Sequence, residues 1–142
     1  MKIQKLHEEV IIPSYAHDGD SGMDIYAPKS YTIPAGKRML IPAGFKLEIP
    51  YSYEIQIRPK SGLALKHGIT VLNTPGTIDC NYRGEICVIL FNTSDVDFLV
   101  QKGSKIAQMV LCPVAYIKSW DAVNEITLET NRGEGGFGST GI

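Results

Sequence analysis

The sequence predicts a single all-β domain of about ten short strands, jelly-roll-like or a distorted β-barrel, with one short helix near Ser61–His67. Apolar residues recur with a period of two along most of the chain, which is the periodicity of a strand. Between Pro28 and Pro59 a proline recurs every six to nine residues, which suits short strands and excludes long helices. A length of 142 residues predicts one domain, residues 1–142.

The composition is that of a soluble globular protein and gives no electrostatic reason to expect a nucleic-acid or membrane partner. The formal net charge is −1, and 44% of the residues are hydrophobic. The sequence has neither a run of ~20 apolar residues nor a signal-peptide pattern. Its three cysteines lack metal-ligand spacing, which argues for reduced thiols and against zinc. We therefore expect a cytoplasmic location.

Strand patterns are clearest in the middle of the chain. Two segments there alternate between apolar and polar residues, so each is predicted to bury one face. Their apolar positions are Phe45, Leu47, Ile49, Tyr53, Ile55 and Ile57. The run EICVILFN, residues 85–92, carries apolar side chains on both faces and is predicted to be buried on both.

The segment SGLALKH, Ser61–His67, is the one with helix-forming character. Ser61 is its predicted N-cap and Gly68 its predicted end. The backbone N–H groups of Ser61 and Gly62 at the helix start, with Lys60 beside them, fit an anion site. Plain N-capping by Ser61 is the alternative, and it has the same sequence pattern.

The central segment Leu72–Ile86 is predicted to be a β-hairpin with Gly76 and Gly84 near its ends. Asp79 and Tyr82 lie in its turn-rich centre. On this segment alone two interpretations stay open. One is an ordinary hairpin with polar turn residues. The other is a pocket made of backbone, closed by Tyr82, with Asp79 beside a reacting group.

Two isolated polar residues interrupt apolar segments. Asp24 stands between Met23 and Ile25, and Gln108 stands in the run KIAQMVL. A solvent-facing side chain is the ordinary interpretation of both. The alternative for Asp24 is a carboxylate that orients a basic residue or a metal-bound water.

The C-terminal stretch, residues 131–142, is rich in glycine, and its composition favours a disordered terminus. It also carries Arg132, Phe137, Ser139 and Thr140. A strip with one cation, one ring and two hydroxyls could fold over a phosphorylated, ring-bearing ligand, so the alternative is a lid. Its G-x-G-x-x-G match follows no strand of a βαβ unit, so it does not predict dinucleotide binding.

Five segments together resemble the five motifs of the trimeric all-β dUTP pyrophosphatases (dUTPases), in order and spacing. They read SGMDIYA, RPKSGLALKHG, GTIDCNYRGE, GSKIAQMV and RGEGGFGSTG. The resemblance implies a homotrimer with three sites, each built from all three chains. It implies hydrolysis of dUTP to dUMP and pyrophosphate by water attack at the α-phosphorus, which keeps uracil out of DNA and supplies dUMP for dTMP synthesis. Mg²⁺ is the implied cofactor, held by the triphosphate and water and not by direct protein ligands.

The same resemblance implies a role for each motif residue. Asp79 would orient or deprotonate the attacking water, and Tyr82 would pack against the deoxyribose. The implied uracil contacts come from the hairpin, with Asn73, Gly76 and Ile78. The implied phosphate contacts come from a neighbouring subunit, with Lys60, Ser61, Gly62 and Gln108, supported by Asp24. The implied cover comes from the third chain, with Arg132, Phe137, Gly138, Ser139 and Thr140.

Lys60 and Lys105 stand where many relatives have arginine, which keeps the charge but loses the bidentate fork. A dCTP deaminase is the closest rival, but such enzymes carry a glutamate ten residues after the hairpin aspartate. That position is Ile89 here, which cannot transfer protons. A catalytically silent trimer that binds nucleotide or a protein partner is the rival from another class.

Overall fold

The computed structural model describes residues 1–126 and 130–136. Within those ranges it contains ten strands and one helix, so the all-β prediction with a single short helix is confirmed. The elements in chain order are β1 (Lys2–Lys5), β2 (Met23–Tyr26), β3 (Tyr31–Ile33), β4 (Arg38–Glu48), β5 (Tyr53–Arg58), α1 (Ser61–His67), β6 (Ile69–Val71), β7 (Gly76–Ile78), β8 (Glu85–Asn92), β9 (Phe98–Val100) and β10 (Lys105–Pro113).

The strands form two larger sheets and one small sheet. The first sheet has the order β1-β4-β8-β6 and the second has the order β2-β10-β5-β7, while β3 and β9 pair separately. Every paired neighbour is antiparallel. Among the described strands the sheets do not close into a barrel, and non-consecutive neighbours show that the chain crosses repeatedly between sheets.

One continuous apolar core joins the elements, and the period-two pattern predicts most of it. Phe45 and Ile55 are at most 1% exposed, and their alternating neighbours on the same face are also buried. Tyr53 is the exception because it starts β5 next to an exposed turn, and it is 41% exposed. In β8 one face is buried and the other is half-buried, so the predicted double burial holds for one face only.

The helix has the predicted bounds, but its start differs from the prediction. Lys60 is the N-cap, with extended φ and ψ of −98° and 124°, and no side chain caps the helix. Ser61 is already the first helical residue, so its predicted capping role is wrong. Gly68 ends the helix as predicted, with a φ of 64° and its N–H donating to Ala64 O at 3.1 Å. No helix in the described ranges is long and apolar enough to cross a membrane.

The predicted hairpin between residues 72 and 86 is wrong in its pairing. β7 pairs with β5 in the second sheet, whereas β8 pairs with β4 and β6 in the first. The intervening turn-rich segment is therefore a connection between two sheets. Glycine and asparagine mark where a chain turns, but they do not specify which strand the next one joins.

Candidate functional site

The centre of the second sheet aligns three strands at the start of the helix. In the register of β2, β10 and β5, Gln108 lies opposite both Asp24 and Arg58. The chain leaves β5 after Arg58 and reaches Lys60 and then α1 within two residues. Side chains from three strands therefore lie near the first turn of the helix.

Asp24 is a buried carboxylate paired with two lysines. It is 5% exposed, and Lys60 Nζ contacts its Oδ1 while Lys105 Nζ lies 2.6 Å from its Oδ2. Burial acts to raise the pKa of Asp24, but hydrogen bonds and charges from Lys105 and Lys60 outweigh it and lower that pKa. The solvent-facing interpretation of Asp24 is wrong, and the alternative, a carboxylate that orients a basic residue, is confirmed.

Gln108 is half-buried and hydrogen-bonded within the chain, so it is not simply solvent-facing. Its Nε2 donates to Pro59 O at 2.9 Å, which ties β10 to the residue just before Lys60. A Cβ at position 22 would overlap Gln108 Oε1, so only glycine at that position leaves the amide in place. Sequence reasoning missed Gly22, although a glycine beside a strand is a recognised sign of close packing.

The first turn of the helix is open toward solvent. Ser61 and Gly62 are exposed, and the first intrahelical bond runs from Ala64 N to Lys60 O at 3.0 Å. The amides of Ser61 and Gly62 precede that bond, as the first amides of any helix do. A Cβ at Gly62 would meet nothing within 4 Å in this chain. The predicted anion contact at these two residues is compatible with this geometry.

The connection after β7 holds Tyr82 in a defined position. Its N–H donates to Asp79 O at 3.1 Å, and its Oη donates to Glu85 O at 3.1 Å. A Cβ at Gly84 would overlap the phenol ring, so the ring lies directly on the glycine backbone. Gly84 is therefore required by a close approach within the chain, and Tyr82 remains 43% exposed.

Arg83 stabilises the same connection through its guanidinium group. Its Nη1 donates to Cys80 O at 2.8 Å and to Tyr82 O at 2.9 Å, so its guanidinium group binds backbone carbonyls.

Asp79 is exposed and lines a cleft of about 490 Å³. Tyr51 and Tyr116 also line that cleft, with ring centroids 5.4 Å apart.

The residues predicted to read the base lie together before Asp79. Gly76 and Ile78 are the ends of β7, which is the edge strand of the second sheet. The amide group of Asn73 lies over Gly76, since a Cβ there would be 3.2 Å from Asn73 Nδ2. Within the described sheet the backbone of β7 has a partner on one side only, so its other side is available to a polar ligand.

The predicted site residues thus fall into two groups within one chain. The residues predicted to contact or support the phosphates are Asp24, Lys60, Ser61, Gly62 and Gln108. The residues predicted to contact the base and sugar or to activate the water are Asn73, Gly76, Ile78, Asp79 and Tyr82. No hydrogen bond or ion pair joins these groups in the part of the chain that the structure describes.

The tail contributes little within the described ranges. Arg132 Nε donates to Gly135 O at 2.8 Å, a local turn contact. The predicted cover residues Phe137, Gly138, Ser139 and Thr140 lie outside the described residues. Across residues 1–126 and 130–136, no cluster of three or more His, Cys, Asp or Glu side chains is placed to hold a metal.

Comparison with known proteins places these features in a family. The family model described as dUTPase matches residues 8–141. The deoxyuridine 5'-triphosphate nucleotidohydrolase of Clostridium novyi (strain NT) is 54% identical over 140 residues, covering 99% of this chain and 97% of that protein.

Solved structures agree in fold. The Staphylococcus bacteriophage 80alpha dUTPase with dUPNHPP has a TM-score of 0.90 at 23% identity, covering 99% of this chain and 98% of that one. A D95N mutant dUTPase from phage phi11 of S. aureus, described with a structural Mg(II) ion, has a TM-score of 0.79 at 20% identity, covering 87% and 96%. The chain belongs to the dUTPase family.

Proposed function

We propose that the protein hydrolyses dUTP to dUMP and pyrophosphate with Mg²⁺, as a homotrimer whose sites are shared between chains. Membership of the dUTPase family supports the reaction. The observation that carries the chemistry is the placement of Asp79. Its exposed carboxylate follows an edge strand that is open on one side, and Tyr82 stands three residues further along.

The open edge of β7 is the proposed uracil-reading wall. Backbone N–H and C=O groups at Gly76 and Ile78, with the Asn73 amide, offer fixed donors and acceptors to the base. A base with the wrong pattern leaves those groups unpaired, which discriminates strongly. Tyr82 is held against Gly84, so its ring is the proposed floor under the deoxyribose, where a 2′-hydroxyl would clash.

The first turn of α1 is the proposed phosphate cradle, acting on the substrate of a neighbouring chain. The amides of Ser61 and Gly62, the ammonium of Lys60 and the side chain of Gln108 would contact the triphosphate. These groups stabilise negative charge without reorganising, because Asp24 and Pro59 already hold two of them. Mg²⁺, held by triphosphate oxygens and water, would supply further charge neutralisation.

In the proposed reaction Asp79 accepts a proton from the attacking water. The water oxygen forms a bond to the α-phosphorus, and the bond from that phosphorus to the bridging oxygen breaks. Pyrophosphate leaves with that oxygen, and dUMP keeps the new one.

The proposed trimer is supported by apolar surface that the single chain leaves open. Trp120 is 83% exposed and Ile126 is 77% exposed in the segment that follows β10. Leu40 is 56% exposed on the outer face of the first sheet, beside Ile89. Large apolar side chains exposed in groups mark protein interfaces. In the trimer the glycine-rich lid, residues 131–142, would close over the site with Arg132, Phe137, Gly138, Ser139 and Thr140.

The proposed function is tested by incubating the protein with dUTP, dCTP, dTTP and UTP in separate reactions with Mg²⁺. We expect pyrophosphate and dUMP from dUTP and at most traces of product from the other three. Release of ammonia from dCTP would instead indicate a deaminase. Binding of dUTP without any product would indicate a silent nucleotide-binding trimer.

Exchanging Tyr82 for Ala should relax discrimination against UTP by roughly tenfold or more, because the ring that fills the space of the 2′-hydroxyl is removed. The measurement is the ratio of kcat/KM for dUTP to kcat/KM for UTP. Tyr82→Phe is the matched control, since it loses only the hydrogen bond to Glu85 O and keeps the ring on Gly84. An unchanged ratio in Tyr82→Ala would remove this residue from sugar selection.

Gly22→Ala should raise the KM for dUTP and cost about 1 kcal/mol of unfolding free energy, because the new Cβ displaces the Gln108 amide from Pro59. Steady-state kinetics and thermal unfolding measure the two effects. The adjacent, exposed Ser21→Ala is the control variant and should change neither. Wild-type KM and Tm in Gly22→Ala would show that Gln108 keeps its position in another way.

A further inference from the structure

Asp24 holds one lysine that the proposed mechanism uses and one that it does not. Lys60 begins the phosphate cradle, whereas Lys105 begins β10 and has no role in the reaction described so far. Each lysine takes a different oxygen of the same carboxylate. The two cations therefore share one anion, and about one unit of positive charge remains beside the first turn of α1.

The burial of Asp24 makes this arrangement different from an ordinary surface pair. The Asp24 side chain is 7% exposed, while Lys105 reaches it from a side chain that is 45% exposed. Removing one partner from a buried carboxylate leaves its charge poorly compensated and strongly lowers the stability of the fold. Ion pairs on the surface contribute little to that stability. Lys102 provides the contrast, because it pairs with Glu9 at 2.9 Å with both side chains more than half exposed.

We propose that Lys105 is a positioning residue that sets how strongly Asp24 holds Lys60. With Lys105 on Oδ2, part of the carboxylate charge is already compensated, so the Lys60 ammonium can direct its remaining donors and charge toward phosphate. Without Lys105 the whole charge of Asp24 falls on Lys60 and draws it into the sheet. The role of Lys105 is exerted through Asp24 on Lys60 and needs no contact with the substrate.

Local structure supports a specific placement of Lys105. The ladder between β10 and β2 is irregular between Lys105 and Ala107, so the strand shifts register where Lys105 meets Tyr26. β-Bulges of this kind re-aim a side chain. The pKa of Lys105 is raised, first by its hydrogen bond to Asp24 and then by the charge of that carboxylate, so the lysine stays protonated.

The test, which rests on the proposed function, is a double-mutant cycle on the full-length protein with dUTP and Mg²⁺. Lys105→Met should lower kcat/KM by about tenfold, mainly through KM, because ground-state phosphate binding weakens. In a Lys60→Met background the same change should lower kcat/KM by a clearly smaller factor, because the group it acts through is gone and only the loss of local positive charge remains. Lys105→Arg should restore activity to within about twofold of wild type.

Lys102→Met is the matched control and should leave kcat and KM unchanged. Equal losses from Lys105→Met with and without Lys60 would overturn the proposal, since they indicate a role that is independent of Lys60. The proposal would also be overturned if the loss of kcat/KM in Lys105→Met were explained by a lowered Tm alone and Lys105→Arg did not recover activity. Absence of dUTP turnover in the wild type would instead overturn the proposed function, and this role with it.

Discussion

Replacing Asp79 with Asn is expected to lower kcat for dUTP by about three orders of magnitude, the middle of the range that a positioned general base contributes. The amide is the same size and keeps the turn in which Asp79 O accepts from Tyr82 N–H. It cannot accept the proton from the attacking water, however. Because the substitution also removes a negative charge beside a triphosphate, binding should be kept or strengthened. Single-turnover kinetics give the rate, and calorimetry with a non-hydrolysable imido analogue gives the affinity.

A matched control separates the chemistry from the charge change. Asp95 is an exposed aspartate in the loop between β8 and β9, so Asp95→Asn changes the net charge equally. Its kinetics should equal those of the wild type. Turnover of Asp79→Asn within about tenfold of wild type would exclude Asp79 as the base, since even modest general-base catalysis exceeds that factor. Loss of both turnover and analogue binding would instead show that Asp79 is needed to form the pocket.

Local features of this fold were predictable because they depend on neighbours in sequence. Phe45 and Ile55 are buried because period-two alternation places them on one face, whatever the sheet order. The bounds of α1 follow from Pro59 before it and Gly68 after it. The motif residues around Asp79 were identifiable for a similar reason, since their spacing within each segment carries the resemblance to the family.

Pairing and burial of polar groups were not predictable, because they depend on residues far away in the chain. Asp24 looks solvent-facing until Lys60, the N-cap of α1, and Lys105, the first residue of β10, pair with it. Gln108 looks the same until Pro59 O is brought to its amide. The hairpin prediction failed for the same reason, since turn residues near Gly76 do not determine that β7 joins β5.

Deleting residues 132–142 is expected to reduce kcat/KM for dUTP by roughly two to three orders of magnitude while the proposed trimer remains. The proposed lid supplies a cation to the phosphates and a ring over uracil. Closure of a site over its substrate orients the substrate and excludes water. The strands and the core that the structure describes lie before this segment, so stability should change little. Kinetics, thermal unfolding and light scattering measure the three quantities.

A shorter truncation tests whether the effect belongs to the lid residues. Removing only residues 141–142 keeps Arg132, Phe137, Ser139 and Thr140 in the sequence and should leave kcat/KM within about twofold of wild type, because none of the proposed contact residues is lost. If residues 132–142 act by closing the site, Phe137→Ala should raise the KM for dUTP without lowering the Tm. Arg132→Ala should lower kcat, because charge on the leaving pyrophosphate increases as the bond to the α-phosphorus breaks. An unchanged rate after removal of all eleven residues would exclude any role of the segment in the reaction, and the site would then have to be complete without it.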